Sequence, residues 1–258
     1  MPPVSRRPPS LIGQASPHPN LAPDADVPAY LREVYSWAYL HPTAAALLDR
    51  QPVVEAILWG NARRLVARVT AEMQPGWRVL QPAAVYGSFS RRLAAALGPH
   101  GRLEVSDIAP LQVALTRRKL ADVPQARVEL RDAAEAGRGP YDAVTCFFLL
   151  HEVPEDMKRR IVEVLLGIVR PGGKVVFVDY HRPHPAHPLR PVMDLIFARL
   201  EPFASALWHR SIAEYAGSMA AGYDWRKETL FGDLYQVVVA TRRRTSGAER
   251  HRHPPSLH

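Results

Sequence analysis

The chain has almost no cysteine, and that scarcity narrows its class first. Cys146 is the single cysteine among 258 residues, which excludes an internal disulfide and a multi-cysteine zinc site. It fits a reducing, cytoplasmic setting. Long hydrophobic runs are also missing: none approaches the roughly 20 residues that a membrane-spanning helix needs. The stretch MPPVSRRPPS has no apolar core after its arginines, so a secretory leader is not expected. Its prolines oppose the amphipathic helix of a mitochondrial presequence. Acidic residues are the minority, 25 against 33 Lys and Arg. Yet the basic residues are not interleaved with stacking aromatics and no reader module is visible, so no specific nucleic acid is expected as a partner. Internal repeats are absent.

With 47% hydrophobic residues the chain can bury one sizeable core. Residues 1–28 are Pro-rich and polar and are expected to be disordered. Residues 29–241 read as one domain that opens with a helical cap, in two blocks parted near Gln51 and Pro52. Tyr30, Leu31, Val34, Tyr35, Trp37, Ala38 and Leu40 make the face of the first block. Ile57, Leu58, Leu65, Val66 and Val69 make the stripe of the second. Residues 242–258 form a basic tail in which Arg242, Arg243, Arg244, Arg250 and Arg252 stand against Glu249, half of the formal charge of +8. A tail of this kind is either a solvated end or is drawn to anionic lipid, at about 1 kcal/mol per charge.

The stretch WRVLQPAAVYGSFSRRLAAALGPHGRLEVSD, residues 77–107, organises the rest. It reads as strand, sharp loop, helix and second strand, with Asp107 at the tip of that strand. Such a βαβ unit is a nucleotide-binding design: loop N–H groups face the ligand, and a strand-end carboxylate accepts both ribose hydroxyl protons. Gly87 and Asp107 stand twenty positions apart, the spacing of that pairing. After it, IAPLQVALTRRKL starts a helix with proline, and Ala126–Leu130 is a third strand followed by Asp132 and Ala133. YDAVTCFFLL suits a strand buried on both faces, and it ends in His151 and Glu152. A helix from Glu155 to Val169 is ended by Pro171-Gly172-Gly173, and Lys174–Tyr180 is the fifth strand. Helices over 189–207 and 212–220 follow, then a hairpin from Trp225 to Thr241 that turns at Gly232 and Asp233.

These motifs resemble the class I S-adenosylmethionine (SAM) methyltransferases. The resemblance implies a Rossmann-like α/β fold, with a mostly parallel seven-stranded sheet, an antiparallel last strand and an N-terminal helical extension. The first loop departs from that family, because Gln81 stands where an acid is usual and Ala83 and Val85 replace two glycines. The altered loop VYGSFS, together with LLHEVP, LEPFASALWH and residues 178–191, looks like the RquA family of rhodoquinone biosynthesis proteins. That resemblance implies conversion of ubiquinone to rhodoquinone, with SAM supplying an amino group in place of a ring methoxy group, and with Mn2+ required. The SAM-binding residues it implies are Tyr86, Gly87, Ser88, Asp107, Ile108, Asp132, Ala133 and Phe147.

The segment VDYHRPHPAHPLRP carries Asp179, Tyr180, His181, His184 and His187. Imidazole and carboxylate groups of this kind suit several divalent ions, manganese among them. His151, Glu152, Asp179 and His181 are therefore the expected metal ligands. His151, Tyr86 and His181 are the candidate catalytic residues, with His151 preferred as a base because imidazole titrates near neutral pH. A lipid quinone substrate implies peripheral contact with the inner face of a bacterial membrane, and oligomeric state is not set by any motif. Two other functions stay open: conventional methyl transfer to a quinone or phenolic precursor, and a non-catalytic SAM-binding subunit.

Overall fold

The computed structural model describes Pro28, residues 42–135 and residues 137–244. The expected disordered start, the first cap helix near residues 30–40 and the tail from residue 245 lie outside the described residues.

Seven strands form one sheet: β1 (Arg78–Gln81), β2 (Arg102–Asp107), β3 (Ala126–Leu130), β4 (Tyr141–Phe147), β5 (Val169–Tyr180), β6 (Tyr223–Leu230) and β7 (Tyr235–Arg242). Their order is β3-β2-β1-β4-β5-β7-β6. The first five run parallel, and β7 is inserted antiparallel between β5 and β6. β4 lies in the middle of the sheet with both faces covered, which is why Ala143, Val144 and Cys146 read as one apolar run and are all buried. The chain moves outward from β1 to β3, then returns to β4 on the other side of β1. That reversal opens a crevice at the carboxyl ends of β1 and β4.

Eight α-helices among the described residues flank the sheet: α1 (Pro42–Leu48), α2 (Gln51–Ile57), α3 (Ala62–Thr70), α4 (Phe89–Leu97), α5 (Pro110–Lys119), α6 (Glu155–Gly167), α7 (Arg190–Arg199) and α8 (Ile212–Tyr215). On α3 the residues Leu65, Val66 and Val69 turn inward at helical spacing. Ile57, expected on the same stripe, is 47% exposed. The left-handed backbone of Trp59 and Gly60 breaks the cap between them and ends α2.

Several sequence-based boundaries shift. The Pro171-Gly172-Gly173 run does not separate helix from strand: α6 ends at Gly167, and β5 already begins at Val169, opposite Tyr141, with a register shift before Ala143. Gly173 is required there, because a Cβ would lie 2.9 Å from the carbonyl oxygen of Asp142. The long helix expected over 189–207 stops at Arg199, and a short turn at Ala204–Trp208 follows Pro202. The final hairpin holds, one to two residues longer at each end. Arg242 belongs to β7 and donates to Val169 O at 2.7 Å, so the first tail arginine is part of the sheet.

Lys158 on α6 is fully buried. Its ammonium donates to Val153 O at 2.5 Å and Phe203 O at 2.9 Å, tying the segment after α7 to the turn after β4. Removing the ammonium relieves a desolvation cost, but it strands two carbonyls and opens a void. We expect Lys158→Ala to lower the unfolding free energy by about 1.5–3 kcal/mol, the usual size of a charged hydrogen bond lost inside a protein. Urea denaturation measures it; an unchanged midpoint would show that the tie carries no stability.

Candidate cofactor and substrate site

One cavity occupies the crevice. Its walls are residues 82–86 after β1, residues 107–109 after β2, Asp132 and Ala133 after β3, and residues 147–149 and 151–153 after β4. Tyr180 closes β5 over it, Glu201 enters from beyond α7, and Leu48, Val54, Ile57 and Leu58 of the cap form the apolar lid side. The expected residues Tyr86, Asp107, Ile108, Asp132, Ala133, Phe147, His151 and Glu152 all line it.

Asp107 is 8% exposed. One carboxylate oxygen accepts from Ala84 N–H at 2.9 Å and the other from Ala109 N–H at 2.8 Å. A carboxylate has about four acceptor positions, so capacity remains for ligand hydroxyls. Burial raises its pKa to about 6, against the lowering effect of these backbone bonds. Asp132 both lines the cavity and holds its own turn, accepting from Ala134 N–H at 2.8 Å. Phe147 stacks on Phe89 with ring centroids 4.3 Å apart, giving a flat wall near the start of α4.

The first loop is tied up by the chain itself. Gln81, at the position where the resemblance implies an acid, is fully buried; its amide donates to Ala83 O at 2.8 Å and accepts from Ser90 Oγ at 2.9 Å. The N–H of Gly87 donates to Asp49 Oδ1 at 2.9 Å, and that of Ser88 to Gln51 Oε1 at 3.0 Å. Both partners belong to the cap. Gly87 has φ of 77°, and a Cβ there would meet Gln51 Oε1 at 2.9 Å and Val54 Cγ2 at 3.2 Å. The structure thus accounts for the one retained glycine by cap packing. Gly87 and Ser88 do not line the cavity, unlike the neighbouring Tyr86, whose hydroxyl accepts from Gln112 Nε2 at 2.8 Å.

The opposite wall carries a couple of buried ionisable groups. His151 Nδ1 lies 2.9 Å from Asp179 Oδ1, so the Nδ1 proton points at that carboxylate and Nε2 points outward. Nε2 is 3.8 Å from Glu152 Oε1 and 3.9 Å from Glu201 Oε2. Burial disfavours the charged ring, but the charge and hydrogen bond of Asp179, with Glu201 and Glu152, outweigh it and raise the pKa to about 9. This corrects the expectation of a ring titrating near neutrality: at pH 7 His151 is an imidazolium and a donor. Phe148, held at φ of 52°, sets its ring edge-on to His151 and Tyr180. A bulky residue in that region is strained, and it sits beside the couple.

The expected four-ligand metal set is not brought together. Asp179 is 1% exposed and accepts from the N–H groups of Leu150, His151 and Tyr180, so its oxygens are committed behind the wall. His181 leaves the site: Nδ1 meets Asp233 O, and Nε2 meets Lys227 Nζ, both on the final hairpin. Burial, with nearby Lys227, lowers its pKa. Among the described residues no group of three or more His, Cys, Asp or Glu has the arrangement to hold a metal ion. His184 donates its N–H to Gly232 O, and the ring of His187 packs on Phe231, so the three-residue spacing serves the loop. Sequence reasoning missed Glu201, Asp49, Gln51 and Lys119, which reach the site across separations that no local pattern reveals.

The sheet order, with β7 inserted antiparallel, and the crevice at β1 and β4 decide the architecture, and it matches solved structures. An O-methyltransferase family protein from Burkholderia thailandensis superposes with a TM-score of 0.60 at 16% identity, covering 84% of this chain and 67% of that one. A SAM-dependent methyltransferase from Aquifex aeolicus gives 0.54 at 16% identity, covering 78% and 98%.

The fold is that of the class I SAM methyltransferases.

Residues 83–175 match the family model of a methyltransferase domain. Among curated relatives, the ubiquinone/menaquinone biosynthesis C-methyltransferase UbiE of Ectopseudomonas mendocina is 28% identical over 166 residues, 61% of this chain and 62% of the relative. The demethylmenaquinone methyltransferase of Clavibacter sepedonicus is 28% identical over 193 residues, 74% and 71%. The match thus spans less than two thirds of the Ectopseudomonas protein. In this fold the cavity stands at the carboxyl ends of β1 and β4.

Ionised Asp107 is a cost to the empty fold that is absent well below pH 4 and complete above about pH 6, the sign expected of a raised carboxyl pKa. Accepting ribose hydroxyls requires the ionised form. We expect SAM affinity, measured by calorimetry, to be flat above pH 7 and to fall by about tenfold per pH unit below about pH 6. Asp107→Ala should weaken binding by roughly ten- to hundredfold at pH 7. An unchanged affinity in a folded variant would remove Asp107 from the site.

Proposed function

We propose that this chain is a SAM-dependent enzyme that acts on a lipid quinone or its phenolic precursor, transferring the methyl group of SAM to it. One observation carries the reading: the strand-end acid Asp107 and His151, backed by the buried Asp179, line the same cavity. The names of the relatives, a ubiquinone/menaquinone C-methyltransferase and a demethylmenaquinone methyltransferase, support the substrate class. An apolar lid side from α1 and α2 suits a prenylated ring.

The chemistry follows from the charges. The His151 imidazolium donates from Nε2 to a ring oxygen of the acceptor and orients it. A ring hydroxyl gives its proton to the carboxylate of Glu152 or Glu201, which flank Nε2. The ring carbon then attacks the SAM methyl group, the carbon–sulfur bond breaks with its electrons left on sulfur, and the ring carbon loses its proton to solvent. Alignment of the two reactants in one cavity supplies a large part of the barrier reduction.

A second reading rests on the first loop. Pro82, Ala83, Val85 and Tyr86 fill the place that glycines usually leave open, and Gln81 offers no charge to the SAM amine. The resemblance to the RquA family gives this alteration a purpose: the SAM amine bonds to the methoxy-bearing ring carbon of ubiquinone, and methoxide leaves with the amine proton as methanol. The bond from that nitrogen to the cofactor's α-carbon then breaks with loss of a β-proton, leaving an amino group on the ring and an alkene in the cofactor. The same His151 donor would stabilise charge on the quinone oxygen. The manganese implied by that resemblance has no assembled ligand set here, and neither reading passes through a metal. We infer a peripheral position on the inner face of a bacterial membrane from the lipid substrate alone. No described helix is long and apolar enough to cross a membrane.

SAM carrying carbon-13 in its methyl group and nitrogen-15 in its α-amine distinguishes the readings, with ubiquinone and a demethylated precursor as acceptors. We expect a heavier, carbon-13-labelled quinone from the precursor. A lighter, nitrogen-15-labelled quinone from ubiquinone would establish the second reading instead. Recovery of both acceptors unchanged would leave a binding subunit.

A further inference from the structure

The Gly87 N–H that leads into α4 already holds an anion, and it is the chain's own. Asp49, between α1 and α2, accepts the Gly87 N–H at 2.9 Å. The same oxygen pairs with Lys119 at the end of α5, and that ammonium also reaches Val85 O at 3.3 Å. The Lys119 side chain is 13% exposed and that of Asp49 29%. A backbone N–H at a helix entrance with a cation beside it is the arrangement that receives a ligand carboxylate in many nucleotide-binding loops. Here Gly87 and Lys119 are both engaged by Asp49, and Gln51 takes the Ser88 N–H. Gln81 adds no charge of its own.

We propose that Asp49 is a specificity-determining residue: it occupies the carboxylate position at the entrance to α4, so the amino-acid end of the cofactor is not held there. The inference rests on the reading that SAM binds in the cavity. Asp49 does two things at once. It docks the cap, whose Leu48 and Val54 line the cavity, onto the first loop, and it takes up the Gly87 N–H and the Lys119 ammonium that a second carboxylate would need. The nucleoside end, anchored by Asp107, is left to carry most of the binding, and the amino-acid end is free to lie toward the acceptor.

Two neutral thioethers separate these contributions. S-adenosylhomocysteine carries the amino-acid end, and 5′-methylthioadenosine lacks it. We expect the full-length wild-type chain to bind the two with affinities within about threefold of each other by calorimetry, since a held carboxylate would give about tenfold or more. Asp49→Ala should raise the preference for S-adenosylhomocysteine by about tenfold, as Gly87 N–H and Lys119 become available. Asp49→Asn, which keeps an acceptor for Gly87 and so keeps the cap docked, should raise it less, and it decides the matter if the alanine variant does not fold. A wild-type preference above tenfold, or an unchanged or smaller preference in the folded variants, overturns the role of Asp49. Binding of neither compound to the wild type would bring down the SAM reading itself, and this inference with it.

Discussion

The site depends on one carboxylate that stands behind its wall. Asp179, at the buried end of β5, accepts the N–H groups of Leu150, His151 and Tyr180 and the Nδ1 proton of His151. Three of these donors belong to the turn that follows β4, so a single side chain fixes how one strand ends relative to its neighbour. That turn carries His151 and Glu152, and Lys158 holds the segment bearing Glu201 against it from the other side. A charge so deeply buried is tolerated because its acceptor positions are filled by donors, one of them a cation. Losing the His151 cation would leave a costly uncompensated charge inside the sheet.

From that constraint follows the electrostatic character of the cavity. His151 is charged because it stands among Asp179, Glu152 and Glu201, and the stability this pairing contributes is complete below the ordinary imidazole range and lost as pH rises through about 9. The wall around it is aromatic, built from Phe147, Phe148, Tyr180 and Tyr235 in edge and stacked contacts. A flat, redox-active ring suits such a wall, with a donor at one edge and carboxylates beside it. On the facing side the cap replaces the usual openness of the first loop with Asp49 and Gln51. The two walls together set the shape of the cavity.

Much of the architecture was legible in the sequence because it is written in local patterns. The apolar run at 141–147, the acid at Asp107 and the hairpin at Gly232 each report on immediate neighbours in the chain. The strand ends placed Asp107, Asp132, Phe147 and His151 on one edge by topology alone. What was not legible depends on distance in the chain. Gly87 looks like a cofactor glycine until α2 is seen packed against it. The histidines at 181, 184 and 187 look like ligands until their partners are found on the hairpin and in their own loop. Glu201 has no motif at all; it reaches His151 only because Lys158 pins the chain two residues further on. The shift of His151 away from neutrality is likewise a sum over three separate elements, which spacing cannot express.

The account turns on His151 entering the reaction as a cation held by Asp179. Its ionisation can be followed directly by nitrogen-15 NMR of histidine-labelled protein, assigned against His151→Gln and titrated from pH 5 to pH 10. The structure predicts that His151 keeps both ring protons through neutral pH and loses one only near pH 9, and that Asp179→Asn brings this titration back toward or below the ordinary imidazole value. A ring that is already neutral at pH 7 in the wild-type protein would contradict it.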